Sequence, residues 1–315
     1  MPAARHLRFA VVAVVAALAT ALVSQTAAAP ALSPSTGTSA VALAAKKPSA
    51  TKAAKYLAKA APKKWTSAAQ ALDVGLGLVT TGCAQVKTVK SIRTYLKKKA
   101  AGYATTAAAA GKLAVFAVAV GDNATSFGGV NLVARIQSKT TAGRVDGKDF
   151  SFGQALAMIG LSRGGTKPSA AMVDYLIGQQ HSDGGFGYGA GASDPDYTAL
   201  ALMALSPRIV TSTAATRSAV ARAIQWAKDA QTTSGYWKNY SPIDSTGLLG
   251  SALKLNGVNT SKALAWLGSK QLSSGGFANS LSGKKANRLA TAEALYLITG
   301  KSLATVSAPL KKCSK

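Results

Sequence analysis

The sequence predicts an all-α fold, a closed ring of six helical hairpins arranged in two concentric layers. Three observations predict it. Glycines recur at Gly102, Gly143, Gly184, Gly235 and Gly275, at spacings of 41, 41, 51 and 40 residues, so one unit repeats along the chain. The second half of each unit is apolar on every side, which suits a helix buried on every side. Cys83 ends the first unit and Cys313 lies in the tail, an even pair whose sulfurs can meet only if the two ends of the repeat array are neighbours.

Taken in order, residues 1–29 read as a secretory signal peptide. Arg5, His6 and Arg8 precede an apolar run from Phe9 to Val23, and Ala27, Ala28 and Ala29 supply the small residues a signal peptidase needs. The run of 15 residues falls short of the roughly 20 that cross a bilayer, so no stable membrane anchor is expected. Residues 30–52 are expected to be a flexible linker and 53–315 the ring. The protein is expected outside the cell, free or associated with the cell wall, as a monomer.

With 48% hydrophobic residues over 315 positions, the chain can bury a sizeable core, which excludes a disordered polymer. Its formal net charge of +26 favours acidic partners. Between Lys46 and Ala100 there are 13 Lys plus Arg against Asp73 alone. A charge run of this kind is usually a solvated helix face, and the sharper reading is attraction to an anionic envelope polymer. No aromatic-and-basic groove is visible, so nucleic acid is not an expected partner. Two His and two Cys are too few for most multi-ligand metal cages, and no metal is expected.

The repeat is sharpest in the last three units: Gln180-x3-Gly184-x-Phe186, Gln231-x3-Gly235-x-Trp237 and Gln271-x3-Gly275-x-Phe277, preceded by Tyr175, Trp226 and Trp266. Lys139-x3-Gly143-x-Val145 and Lys98-x3-Gly102-x-Ala104 are eroded copies. Apolar residues at helical spacing on both sides of each glycine give two helices per unit. The inner members are expected at Ala107 to Val120, Gln154 to Ile159, Thr198 to Leu205, Thr246 to Leu255 and Thr291 to Ile298. Gly82, Gly121, Gly160, Gly257 and Gly300 follow inner helices as C′ residues. An open solenoid competes with the ring, but it needs polar caps at both ends, and the last inner helix is as apolar as the middle ones.

The Gln-x3-Gly-x-Trp/Phe units, with Asp183-Gly184-Gly185-Phe186-Gly187, resemble the repeats of triterpene (squalene) cyclases and protein prenyltransferase β subunits, clearly over Asp149 to Gly300. The resemblance implies the α6/α6 toroid of that superfamily, which includes corrinoid carriers. Asp194-Pro195-Asp196-Tyr197-Thr198-Ala199 is similar to the Asp-x-Asp-Asp-Thr-Ala motif of squalene-hopene cyclases, whose middle aspartic acid protonates an alkene. It implies catalytic roles for Asp196 and Asp194, although Tyr197 replaces one carboxylate of the motif.

Against chemistry, Asp149-x-Ser151, Asp196-x-Thr198 and Asp244-x-Thr246 each open an inner helix. The expectation is therefore that these aspartates are N-caps. The prenyltransferase zinc site is not expected, because His181 lies in a turn with no thiolate beside it. A closed ring leaves a funnel whose mouth is formed by the inner-helix starts. Phe150, Phe152, Gln154, Tyr188, Tyr197 and Trp237 are the candidate ligand-binding residues there, with Tyr240, Asp244, Arg288 and Glu293 as polar members. The preferred expectation is a non-enzymatic binding or scaffold protein holding a small apolar or corrinoid ligand, or contacting the envelope, without a cofactor. The cyclases normally carry a second helical domain, for which this chain has no room. The alternative is a terpenoid-cyclase-like enzyme with Asp196 as general acid.

Overall fold

Twelve helices alternate between two layers among the described residues of the computed structural model, which are 46–147, 150–280 and 282–313. The proposed signal peptide and Asp149 lie outside them. The outer helices are α1 (Ala50–Ala60), α3 (Val86–Tyr103), α5 (Leu132–Ser138), α7 (Ala170–Gly178), α9 (Ala214–Asp229) and α11 (Ser261–Lys270). The inner ones are α2 (Ala68–Val79), α4 (Ala107–Ala119), α6 (Phe150–Arg163), α8 (Pro195–Ala204), α10 (Pro242–Leu255) and α12 (Arg288–Thr299). Each inner helix packs on the next, and α12 packs on α2, so the series closes. Because an outer helix returns the chain between successive inner ones, all six inner helices run the same way and start at one mouth.

Small residues make the inner contacts possible. A Cβ on Gly111 would come within 2.4 Å of the Leu156 carbonyl, one on Gly160 within 2.3 Å of Gly111, and one on Gly77 within 2.7 Å of Ala292. These backbones touch where any larger residue would force them apart. Gly160 thereby has a different role from the expected C′ stop: α6 runs on to Arg163, and Gly165, at φ +90°, follows its end.

The repeat is a clasp between neighbouring hairpins. Gln180 Nε2 donates to the carbonyls of Gly184 (2.7 Å) and of Ala219 in the next outer helix (2.8 Å). Gln271 does the same to Gly275 and Ser49 (2.8 and 2.9 Å), and Ser49 N–H donates back to its Oε1 (2.8 Å). This last clasp joins the sixth hairpin to the first. The linker expected through residue 52 therefore ends sooner, because Ser49 already caps α1. The N–H groups of Phe186, Trp237 and Phe277 donate to the hydroxyls of Thr198, Thr246 and Thr291 (3.0, 3.4 and 2.9 Å), which tie each clasp to its inner helix.

Where Lys139 replaces the glutamine, β1 (Thr140–Thr141) and β2 (Arg144–Val145) form a small hairpin. Gln154, from α6, reaches the equivalent carbonyls, those of Gly143 (2.8 Å) and Met172 (3.1 Å), and accepts from Val145 N–H (3.1 Å).

Below the inner ring, the tail runs back across the helix ends. Arg163 donates to the Ala304 and Val306 carbonyls, Ala308 N–H donates to Ala119 and Leu310 N–H to Val120. Cys313 is bonded to Cys83, with Cα atoms 5.3 Å apart across 230 residues of sequence. The expected disulfide is present.

Gly275 tests the closure. Its φ is +88° and an added Cβ would lie 2.4 Å from the Lys52 carbonyl. Gly275→Ala is expected to cost about 2–4 kcal/mol in urea denaturation, from the left-handed backbone and the overlap together. A loss below about 0.5 kcal/mol would mean that this contact contributes nothing to closure.

Candidate functional site

The inner helices place charge at two levels below the mouth. Asp196 and Asp244 lie in the first turns of α8 and α10. Asp73, Lys112 and Glu293 are each the sixth residue of their helices, α2, α4 and α12, and so occupy a level one turn deeper. Asp196, Glu293, Asp73 and Lys112 all lie on inner helices, largely enclosed by protein with part of their surface open. Phe152 and Tyr197 form an aromatic wall on α6 and α8, with ring centroids 5.2 Å apart. The Asp73 side of the mouth opens into a pocket of about 230 Å³ that Gln70, Asn279, Asn287 and Arg288 also line.

The N-cap expectation for Asp196 is corrected. Asp194 is the cap of α8, its Oδ1 accepting from the N–H groups of Asp196 (2.7 Å) and Tyr197 (3.2 Å). Asp196 lies two residues further on. Asn239 Nδ2 donates to Oδ2 of both aspartates (3.1 and 3.2 Å) and to Ser245 Oγ (3.0 Å). Asp196 Oδ1 is buried without a hydrogen-bond partner. Burial, and then the neighbouring Asp194 carboxylate, push the Asp196 carboxyl up to about 7; the Ser245 hydroxyl opposes them and Asp244 adds to them. An aspartic acid in this setting keeps its proton near neutral pH.

Asp244 is not a cap either. It sits in the third helical position of α10, 7% exposed, with Oδ1 unpartnered. Burial raises its carboxyl, with the Ser241 hydroxyl and Asn279 opposing. Glu293 is raised well above the usual range by burial and by Asp244 and Asp196. Lys112 forms an ion pair with Asp73. Burial pulls the Lys112 ammonium down, but Asp73 and Tyr103 outweigh it and the net direction is upward. Neither Asp73 nor Lys112 was among the sequence candidates. The signal was available: Lys112 is the only charge in α4, AAAAGKLAVFAVA, and a lone lysine in a buried helix needs a partner.

Two candidate ligand residues are corrected outright. Gln154 is fully buried in its clasp, and Trp237, 1% exposed, donates its indole N–H to the Ala227 carbonyl at 2.6 Å. Both are bonded into the wall. Tyr188 and Tyr240 stand on the rim, 55% and 69% exposed, and Phe150 packs edge-on against Tyr188 at 5.0 Å. Arg288 stacks over Trp65 and donates to the Ala60 carbonyl and to Gln70 at the mouth. His181 bonds Ser193 Oγ and the Gly189 carbonyl within its own turn. Among the described residues, no three His, Cys, Asp or Glu side chains are grouped to hold a metal ion.

No protein-family model matches the sequence, and no curated protein does. Solved structures match the fold. The chain is similar to the type II terpene cyclase MstE from Scytonema bound to its substrate, geranylgeranyl dihydroxybenzoate: 15% identity, TM-score 0.62, covering 80% of this chain and 96% of that one. With the product merosterolic acid A bound, the values are 16%, 0.63, 80% and 95%. Haptocorrin in complex with Cbi matches at 15% identity and TM-score 0.58, over 82% of this chain and 68% of that one. The chain therefore has the terpenoid-cyclase-like α/α toroid fold.

The preference for a non-enzymatic binding or scaffold protein is corrected by these findings. It rested on the missing second domain and on Asp196 being a helix cap. This chain spans 96% of a solved cyclase chain, which thus contains little beyond one toroid, and Asp194 is the cap of α8.

Proposed function

We propose that the protein is an acid-initiated, terpenoid-cyclase-like enzyme in which Asp196 protonates the terminal alkene of a linear isoprenoid. One observation carries this reading: Asp196 is a buried carboxyl pushed up to about 7, in the first turn of an inner helix, with Oδ1 left without a hydrogen-bond partner. Alkene protonation needs a neutral acid in a place from which water is excluded. The transferred proton forms a C–H bond, the Asp196 carboxylate is left behind, and the resulting tertiary carbocation is attacked by the next double bond to close a ring. The paired rings of Phe152 and Tyr197, the latter next to Asp196, are the π groups suited to stabilise the travelling positive charge. The bound complexes of the Scytonema cyclase support an apolar, prenylated substrate class.

The setting that we propose is extracytoplasmic, with residues 1–29 removed on export. A disulfide is present, and among the described residues no helix is long and apolar enough to cross a membrane.

Two probes test the reaction: geranylgeranyl dihydroxybenzoate and squalene, incubated with the purified protein in D2O. The expected result is a cyclised product carrying one solvent deuterium at the initiating carbon, detected by mass spectrometry. Absence of any cyclised product, or a product without deuterium, would contradict the reading. Since the acid form is the active one, kcat/KM is expected to be level below about pH 6 and to fall about tenfold per pH unit above 7.

A further inference from the structure

A cyclisation begun by an acid must also end, and the inner ring has a group suited to ending it. In the inner ring α2 stands three helices from α8 in either direction, so the helices that carry Asp73 and Asp196 are opposite each other. The other inner-ring acids differ from Asp73 in one respect. Asp196, Asp244 and Glu293 have no cation within ion-pair distance among the described residues, whereas Asp73 is paired with Lys112. Asp73 and Lys112 keep 17% and 25% of their side-chain surfaces open, and Asp73 lines the pocket at the mouth. A carboxyl without a cation beside it on one inner helix and an ion-paired carboxylate on the opposite one are placed to act as an acid and its complementary base.

We propose that Asp73 is the proton acceptor that terminates the cyclisation Asp196 starts; this rests on the cyclase reading above. A C–H bond beside the final cationic carbon breaks, its electron pair becomes a new C=C bond, and the proton goes to a carboxylate oxygen of Asp73. The substrate gains one proton from Asp196 and loses one to Asp73, so the net reaction is an isomerisation. Asp73 then releases its proton to water in the pocket, and Asp196 takes one back from water as the product leaves. A C–H bond beside a carbocation is so acidic that a carboxylate is a sufficient base. Lys112 holds that carboxylate in place through the ion pair. Glu293, at the same depth, is held towards its neutral form by burial and by Asp244 and Asp196, and is the poorer acceptor.

The test compares the products made from the two probes by the wild-type chain, by Asp73→Asn, and by Asp73→Asn combined with Lys112→Met. The double variant removes both charges together, so no lysine is left buried and unpaired if the single variant folds poorly. The expected wild-type product is a cyclic alkene. In both variants the ratio of alkene to water-captured alcohol is expected to fall at least tenfold, with solvent deuterium still incorporated at the initiating carbon. Unchanged products in the folded double variant would overturn the acceptor role and leave the cyclase reading standing. Failure of the wild-type chain to form any ring would overturn the cyclase reading, and this assignment with it.

Discussion

Asp196→Asn is expected to abolish turnover and, above pH 7, to make the protein more stable. The two effects have one cause. Asp196 has a carboxyl raised from 3.8 to about 7 in the fold, so the native state holds a proton that the unfolded chain releases. Stability therefore falls as pH rises from about 4 to 7 and stays low above that, and a shift of about three units sets an upper limit near 4 kcal/mol. Asparagine has nearly the same shape and carries no charge to bury. Urea denaturation of both proteins at pH 5 and pH 8 should show the variant gaining most at pH 8. Equal stability of the two proteins at both pH values would instead be the signature of a helix cap, because asparagine caps as well as aspartate. Asp194→Ala supplies the internal comparison: it removes the actual cap of α8, and it should lower the Asp196 titration midpoint by removing the like charge beside it.

Replacing Cys83 and Cys313 together by serine is expected to lower stability by up to about 5 kcal/mol, the chain-entropy value for a loop closing residues 230 apart. The measured loss should fall below that ceiling, because the tail is also held without the bond. Leu303, Val306 and Leu310 are buried, and Arg163 grips two of its carbonyls. The measurement is the urea midpoint, with limited proteolysis to show whether residues after Gly300 become accessible first. A change under about 1 kcal/mol would show that the first and last hairpins are held together without the bond.

The ring could be read from the sequence because its cause is repeated and local. Five apolar segments, with glycines at steps of 40 to 51 residues, report burial on every side, whichever partners bury them. The closure was legible in Cys83 and Cys313. The site was less so, for two physical reasons. Asp194 and Asp196 fall in the same turn, and a pattern of aspartate before threonine does not reveal which of them turns back to the backbone N–H groups. The roles of Gln154 and Lys112 depend on contacts 11 to 39 residues away in sequence, with Gly143, Met172 and Asp73. Gln154 begins an inner segment, a position that suggests the mouth, yet it supplies the clasp that the Lys139 unit lacks.

The most direct test is the protonation state of one side chain. Carbon-13 NMR of the Asp and Glu carboxyls, with Asp196→Asn to assign the signal, should show the Asp196 carboxyl still protonated at pH 6 and titrating near 7. A midpoint close to 4, the value of an ordinary exposed aspartate, would remove the acid and contradict the proposed chemistry.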